Sequence, residues 1–427
     1  MLRKFLVAGA ALALAGCASV PQSPVQQAAP AVNPARIDAT LKNFTDAGKL
    51  AGASALVTVD GKEVYSGAFG YSDREAKKPM ARDTIVQIYS MTKPITGVAL
   101  MKLWEEGKFR LDDPVAKYIP ELANVKVLQG LDAKGKPILV APVRQMTIRD
   151  VTRHTAGLTY CGGDIRPEMA QFCADKPMKP EYTLDEFARR LGQIPLEYQP
   201  GEQWKYSFGV DVQALLVQRI SGMPFDQYLK KTVLDPLGMK DTGFYVPPEK
   251  QNRLMAVYDV GTDGTLTREN DADALSFPTK RWPLTPGGYG LSSTLDDYSR
   301  FARMLLGEGA LDGVRILQPS TVRLMSTSVL DPAVTDRIWL PSKGQVGFGI
   351  DFAVRIAPPK AADESSGAVG EFFWDGRNYT LFWVDPKNKL TAVFFTQYVP
   401  FGRVPAHKAF RDAVYEGFDP SAVAPKP

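Results

Sequence analysis

Strand-forming segments lie at both ends of this chain, and helical segments fill the middle. Near the start, Ala55-Leu56-Val57-Thr58-Val59 and Glu63-Val64-Tyr65-Ser66-Gly67 flank Asp60-Gly61, a hairpin turn signature. Near the end, Val346-Gly347-Phe348-Gly349-Ile350, Tyr379 to Val384 and Thr391 to Phe395 have the β-branched and aromatic character of buried strands. Residues 182–240 instead carry helical patterning, with a capped start at Thr183-Leu184-Asp185-Glu186 and further helices over Val210–Ile220 and Phe225–Leu234. Strands at the two ends of the chain can share one sheet. The expected fold class is therefore α+β: one antiparallel sheet built from both chain ends, flanked by helices over 36–49 and 404–418, with a mostly helical lobe inserted. With 427 residues and 44% hydrophobic content, a large core is available. Length alone suggests two or three domains, and a single two-lobed domain over 36–420 fits as well. Its α/β lobe takes about 36–88 and 285–420, and its helical lobe takes 89–284.

The N-terminus reads as a targeting segment. Arg3 and Lys4 precede an apolar run, Phe5 to Gly16, too short to span a bilayer. Leu14-Ala15-Gly16-Cys17 resembles the bacterial lipobox, so residues 1–16 are expected to be removed and Cys17 lipidated. Ser19 then favours the outer over the inner membrane, and the catalytic domain would be periplasmic. The Pro/Gln/Ala-rich residues 17–35 are expected to form a disordered tether. In an oxidising compartment Cys161 and Cys173 either close a short surface loop as a disulfide or remain free thiols. With 51 basic and 47 acidic residues and no basic run, nucleic acid is not an expected partner. Only two histidines, His154 and His407, occur, far apart in sequence, so no metal site is expected.

Ser90-Met91-Thr92-Lys93 is the single Ser-x-x-Lys string in the chain. At the start of a helix, serine and lysine three apart share one face, where the amine can reach the hydroxyl and take its proton. The helix N-terminus favours negative charge developing there. Two other stretches can complete a site. Trp204-Lys205-Tyr206-Ser207-Phe208 offers the Tyr206 phenol as a general base. Phe373-Trp374-Asp375-Gly376-Arg377 offers the Arg377 N–H, paired with that of Ser90, as an oxyanion hole, with Trp374 as a pocket wall. His154 is read as a packing residue at a helix end.

Taken together these stretches resemble the serine β-lactamase and penicillin-binding-protein superfamily, nearest to class C β-lactamases and family VIII carboxylesterases. Ser90-x-x-Lys93 matches its first motif, Tyr206-Ser207-Phe208 the tyrosine motif, and Trp374-Asp375-Gly376 the position of Lys-Thr-Gly or Trp-Gly-Gly. Asp112 to Val115, His154 to Leu158 and Gly287 to Thr294 fit in order, and the match spans about 36–415. The resemblance implies a β-lactamase-like fold and acyl transfer through Ser90, with Lys93 and Tyr206 moving the proton and no cofactor. Trp374, Asp375, Gly376 and Phe208 would contact substrate. Trp374 where lactamases carry lysine, and Phe208 where class C enzymes carry asparagine, remove groups that hold a β-lactam carboxylate and side chain. No other cation is expected near the site, unless Arg377 turns inward to pair with Asp375. The expected substrate is therefore a small neutral ester, with β-lactam turnover weak or nil, and the protein is expected to be monomeric. The alternatives are a β-lactamase or D-amino-acid peptidase of the same superfamily, or a non-catalytic cell-wall-binding lipoprotein.

Overall fold

Every residue of β1 (Gly52–Val59) is buried, the mark of a strand covered on both faces. It pairs through a hairpin with β2 (Lys62–Asp73), where Asp60 and Gly61 both take the positive φ that their turn requires. On its other edge it pairs antiparallel with β8 (Leu390–Phe395), and the Thr58 and Thr391 hydroxyls meet at 2.7 Å across that seam. The sheet is completed by β3 (Lys78–Pro79), β4 (Val346–Phe348), β5 (Ala353–Arg355), β6 (Phe372–Asp375) and β7 (Leu381–Asp385). Its order is β4-β5-β6-β7-β8-β1-β2-β3, antiparallel throughout. The two chain ends thus build one sheet, as the patterning requires.

The structure, a computed structural model, describes residues 31–162 and 164–419. The signal segment, Cys17 and residues 17–30 of the expected tether lie outside the described residues. The end of that tether does not match the expectation. Ala31 and Val32 are buried, and α1 (Pro34–Asp46) begins at a proline with the Asn33 side chain capping the Arg36 N–H.

Alternation along β7 and β8 sorts the two faces of the sheet. Phe382 and Phe395 meet Tyr298 of α4 (Leu295–Leu306), while Trp383 and Phe394 meet Phe410 of α5 (Ala406–Tyr415). α1 joins α5 on the outer face. The inner face receives α4 and leads to the inserted lobe, where α2 (Thr92–Glu105) packs on α3 (Gly209–Ser221). That lobe departs from the sequence reading in two ways. Phe225–Leu234 divides into an α-helical turn over Phe225–Leu229 and a π-turn over Lys230–Leu234. Tyr258–Val260 and Leu266–Arg268 form strands that reach across to Tyr398–Val399 of the terminal segment.

Candidate active site

A 3₁₀ turn, Tyr89–Met91, delivers Ser90 to the start of α2, and Pro94 sits in the first helical turn, where its missing N–H leaves no acceptor unpaired. α2 is buried on nearly all sides, so Lys93 is sealed in, with 2% exposure. Its Nζ lies 3.1 Å from Ser90 Oγ and donates to the Gly288 carbonyl at 2.6 Å. Burial drives the Lys93 amine down to about 8, opposed by the charges of Asp211, Asp351 and Asp375. The helical spacing of serine and lysine thus becomes direct contact.

The loop before α3 carries Tyr206 over this pair, with Lys93 Nζ 4.4 Å from the centroid of its ring. The Tyr206 hydroxyl accepts from Trp374 Nε1 at 3.3 Å. Burial pushes the phenol well above its ordinary value, and the Ser90 and Trp374 hydrogen bonds offset only part of that rise. Tyr206 is therefore a neutral phenol at ordinary pH, and Lys93 is the group whose affinity suits proton abstraction. Three segments far apart in sequence converge as the Ser-x-x-Lys, tyrosine and tryptophan stretches suggest.

The other expected site residues fall in different places. Gly376 donates to Thr380 O at 2.9 Å, and a Cβ there would stand 2.4 Å from Ile88 O and 2.3 Å from Thr380 Oγ1. Only glycine lets the end of β6 press against the residues leading into Ser90. That contact presses the turn after β6 against Ile88, two residues before Ser90, while the exposed Arg377 guanidinium lies over the Tyr89 ring at 5.8 Å rather than turning inward. Asp375 does not pair with Arg377. It faces the outer side of the sheet and pairs with Lys343, which also lies 5.0 Å from the Trp374 ring centroid. The expectation that no further cation is near is corrected by this lysine, brought in from a distant loop. Phe208 is buried between Tyr160 and Phe187, behind the wall rather than on its surface. Lys205 points away and pairs with buried Glu197. Cys161 and Cys173 form a disulfide. Beside it Tyr160 lies 5.4 Å from Tyr206 and 5.6 Å from Lys93 Nζ.

His154 is buried in a left-handed backbone conformation (φ 59°) and its Nδ1 accepts from the Ser207 N–H at 3.3 Å. Its ring lies 4.7 Å from that of Tyr206. Burial, then the Lys93 charge, hold it well below the ordinary histidine range, so it is a neutral brace for the tyrosine loop.

Two acids behind Lys93 escaped the sequence reading. Asp211, in the first turn of α3, accepts from the Gly288 N–H at 2.8 Å, and the Gly288 carbonyl in turn holds Lys93. Burial raises its carboxyl to about 6, partly offset by Lys93 and that N–H. Asp351 accepts from Gln213 at 3.0 Å and packs where a Cβ on Gly97 would stand, 2.4 Å from its Oδ2. Burial raises Asp351 well above the carboxylate range. The signal available was an aspartate within an apolar helix, Val210-Asp211-Val212, flagged by nothing else in the sequence. Trp339 was also missed; it lies 5.2 Å from Tyr206 and closes the aromatic wall.

The Beta-lactamase family profile matches residues 37–416. Protein Rv1367c of Mycobacterium tuberculosis is 37% identical over 367 residues, 85% of this chain and 89% of that protein. Esterase EstB of Burkholderia gladioli is 29% identical over 400 residues, 89% of this chain and 95% of that protein. Among solved structures, EstCE1, described as a hydrolase with promiscuous acyltransferase activity, superposes with a TM-score of 0.72. It is 27% identical, and the match covers 89% of this chain and 98% of that one.

Proposed function

The chain belongs to the Beta-lactamase family, and from that premise we propose that it is a serine hydrolase of small neutral carboxylic esters, working through an acyl-enzyme on Ser90. One observation carries the reading: a buried lysine lowered to about 8, in contact with the Ser90 hydroxyl. In acylation the Ser90 Oγ–carbonyl carbon bond forms and the hydroxyl proton passes to Lys93. The N–H groups of Ser90 and Arg377 stabilise the oxyanion. The ester C–O bond then breaks, and the leaving alkoxide takes a proton from the Tyr206 hydroxyl, which is restored from Lys93. Water repeats the sequence to release the acid.

Preference for neutral esters follows from where the cations stand. Trp374 occupies the position of the third-motif lysine, Lys343 is held by Asp375 on the outer side, and the Arg377 guanidinium is exposed over Tyr89. A substrate carboxylate therefore lacks the buried partner whose charge-assisted hydrogen bond contributes about 1.5–3 kcal/mol. The similarity to Esterase EstB agrees with this reading. Purified protein should cleave p-nitrophenyl acetate or butyrate and label at Ser90 with a fluorophosphonate. A higher kcat/KM for a cephalosporin than for both esters would overturn the ester assignment, and absence of label would favour a binding protein.

A second outcome of the same acyl-enzyme is transfer to an alcohol in place of water. The aromatic cluster of Tyr160, Tyr206, Trp339 and Trp374 beside Lys93 and the similarity to EstCE1 favour it. Ester exchange in added butanol that outpaces hydrolysis would establish it. From Leu14-Ala15-Gly16-Cys17 we further propose lipid anchoring in the periplasm. Fatty-acid labelling that persists in Cys17→Ala would refute it.

A further inference from the structure

Lys205 and Glu197 form an ion pair with side-chain exposures of 3% and 2%, and the acyl-transfer steps make no use of it. Sealing two charges from water is costly, and an apolar pair of similar volume commonly holds a fold as well or better. What an apolar pair does not supply is direction. The bonds this pair makes therefore matter more than its burial.

Lys205 immediately precedes Tyr206, in a segment without regular secondary structure. No helix or strand ladder fixes the phenol there, so the anchors on either side of it must. His154 holds the main chain, accepting from the Lys205 N–H through its carbonyl at 2.9 Å and from the Ser207 N–H through Nδ1 at 3.3 Å. The Lys205 side chain adds a second hold. Its Nζ donates to Glu197 Oε2 at 2.8 Å and to the Asp164 carbonyl at 2.7 Å. Glu197 Oε1 accepts from the Arg166 N–H at 2.7 Å. Asp164 and Arg166 belong to the loop closed by Cys161 and Cys173, and Tyr160 leads into that loop with its ring 5.4 Å from that of Tyr206. One ammonium thus ties the segment that carries Tyr206 to the segment that carries Tyr160. Behind this tie lies a cavity of about 560 Å³, walled in part by Lys205, Glu197, Asp164 and Arg166, so polar bonds rather than packed side chains make the link on that side.

The Tyr206 hydroxyl meets Trp374 Nε1 at 3.3 Å, a long contact that leaves the placement of the phenol to its loop. Placement matters most when the ester C–O bond breaks. There the departing alkoxide takes the Tyr206 proton, and Lys93 returns to the phenol the proton it took from Ser90. A proton donor displaced by about 1 Å can lose about 10²-fold in rate.

We propose that Lys205 is a positioning residue for Tyr206, its bonds to Glu197 and the Asp164 carbonyl holding the phenol where it protonates the leaving alkoxide. This rests on the ester-hydrolase reading. An alkyl ester needs that proton, whereas p-nitrophenolate leaves as a stable anion without it. The test is kcat/KM for ethyl butyrate and for p-nitrophenyl butyrate on full-length wild type, Lys205→Met and Lys205→Met/Glu197→Leu, with circular dichroism confirming the fold. The double variant leaves neither charge buried alone. In both variants kcat/KM for ethyl butyrate should fall at least about tenfold further than for p-nitrophenyl butyrate, with Ser90 still labelled by a fluorophosphonate. Adding Lys205→Met to Tyr206→Phe should lower ethyl butyrate turnover by less than about twofold, because the group it positions is already gone. Equal loss on both esters, a full further loss in the Tyr206→Phe background, recovery of ethyl butyrate turnover in the apolar pair, or collapse of the fold in both variants would each overturn the proposal. A wild type that cleaves neither ester and takes no label at Ser90 would overturn the hydrolase reading itself, and the proposal with it.

Discussion

Asp211→Asn should move the pH dependence of catalysis to lower pH. Lys93 stands at about 8 against an ordinary 10.5, so burial costs its ammonium about 3 kcal/mol more than the surrounding carboxylates return. Among those carboxylates Asp211 exerts the largest effect, and it sits one peptide unit away through Gly288. At about 6 its own carboxyl is ionised at the pH where Lys93 loses its proton. Asparagine keeps an acceptor for the Gly288 N–H and removes the charge. An opposite charge this near typically shifts a pKa by about 1–3 units. In the wild type kcat/KM should rise with pH through about 8, as Lys93 loses its proton and becomes the base. In Asp211→Asn that midpoint should fall by about 1–2 units, with a lower plateau because the weaker amine is the poorer base. Asp351→Asn is the matched control. Its carboxyl is held well above the usual range by burial and exerts the smaller effect on Lys93, so the midpoint should move less. The measurement is kcat/KM for p-nitrophenyl butyrate from pH 5 to 10 with circular dichroism confirming the fold. An unmoved or higher midpoint in Asp211→Asn, or an equal shift in Asp351→Asn, would refute the reasoning.

Tyr206→Phe should lower kcat by about 10²–10⁴-fold, as expected for a lost proton carrier; a loss under tenfold would remove the phenol from that role. Gly376→Ala should lower stability by about 1–3 kcal/mol, because its Cβ would press on Ile88 O and Thr380 Oγ1; an unchanged Tm would contradict the close approach of β6 to the Ser90 turn. Reducing the Cys161–Cys173 disulfide should destabilise the protein by about 2–4 kcal/mol and raise KM, because Tyr160 beside it packs on Tyr206. A Tm and KM both indifferent to reductant would show that the loop is held by other contacts.

What the sequence disclosed followed the range over which each interaction acts. Ser90 and Lys93 were legible because one helical turn fixes their separation, and the capped helix at Thr183 for the same local reason. The sheet was legible in outline because the Asp60-Gly61 hairpin and the C-terminal strands carry local strand patterning at both ends of the chain. Tyr206 came into view through its resemblance to a motif, since a loop tyrosine carries no periodic signal. Lys343, Asp211 and Asp351 did not come into view. Each reaches the site through tertiary packing, and each sits in a segment whose local pattern is an ordinary loop, helix or strand end. Asp375 shows the limit most directly. Its sequence neighbour Arg377 was the natural partner, but strand alternation turned Asp375 to the outer face, where Lys343 was waiting.

The seam between β1 and β8 joins Thr58 to Thr391, which are 333 positions apart. A ribosome making this chain releases Ser90 and Lys93 long before the strand that Ile88 leans on, and before the partner that locks β1 in place. Such late pairing slows folding and leaves nascent intermediates with unpaired strand edges, a burden for whatever chaperone receives them. It also means that a partly made chain holds Ser90 and Lys93 without the end of β6 that presses on Ile88. Hydrolytic competence arrives with the final strands, so products of premature termination are inert as enzymes even where their helical lobe has formed.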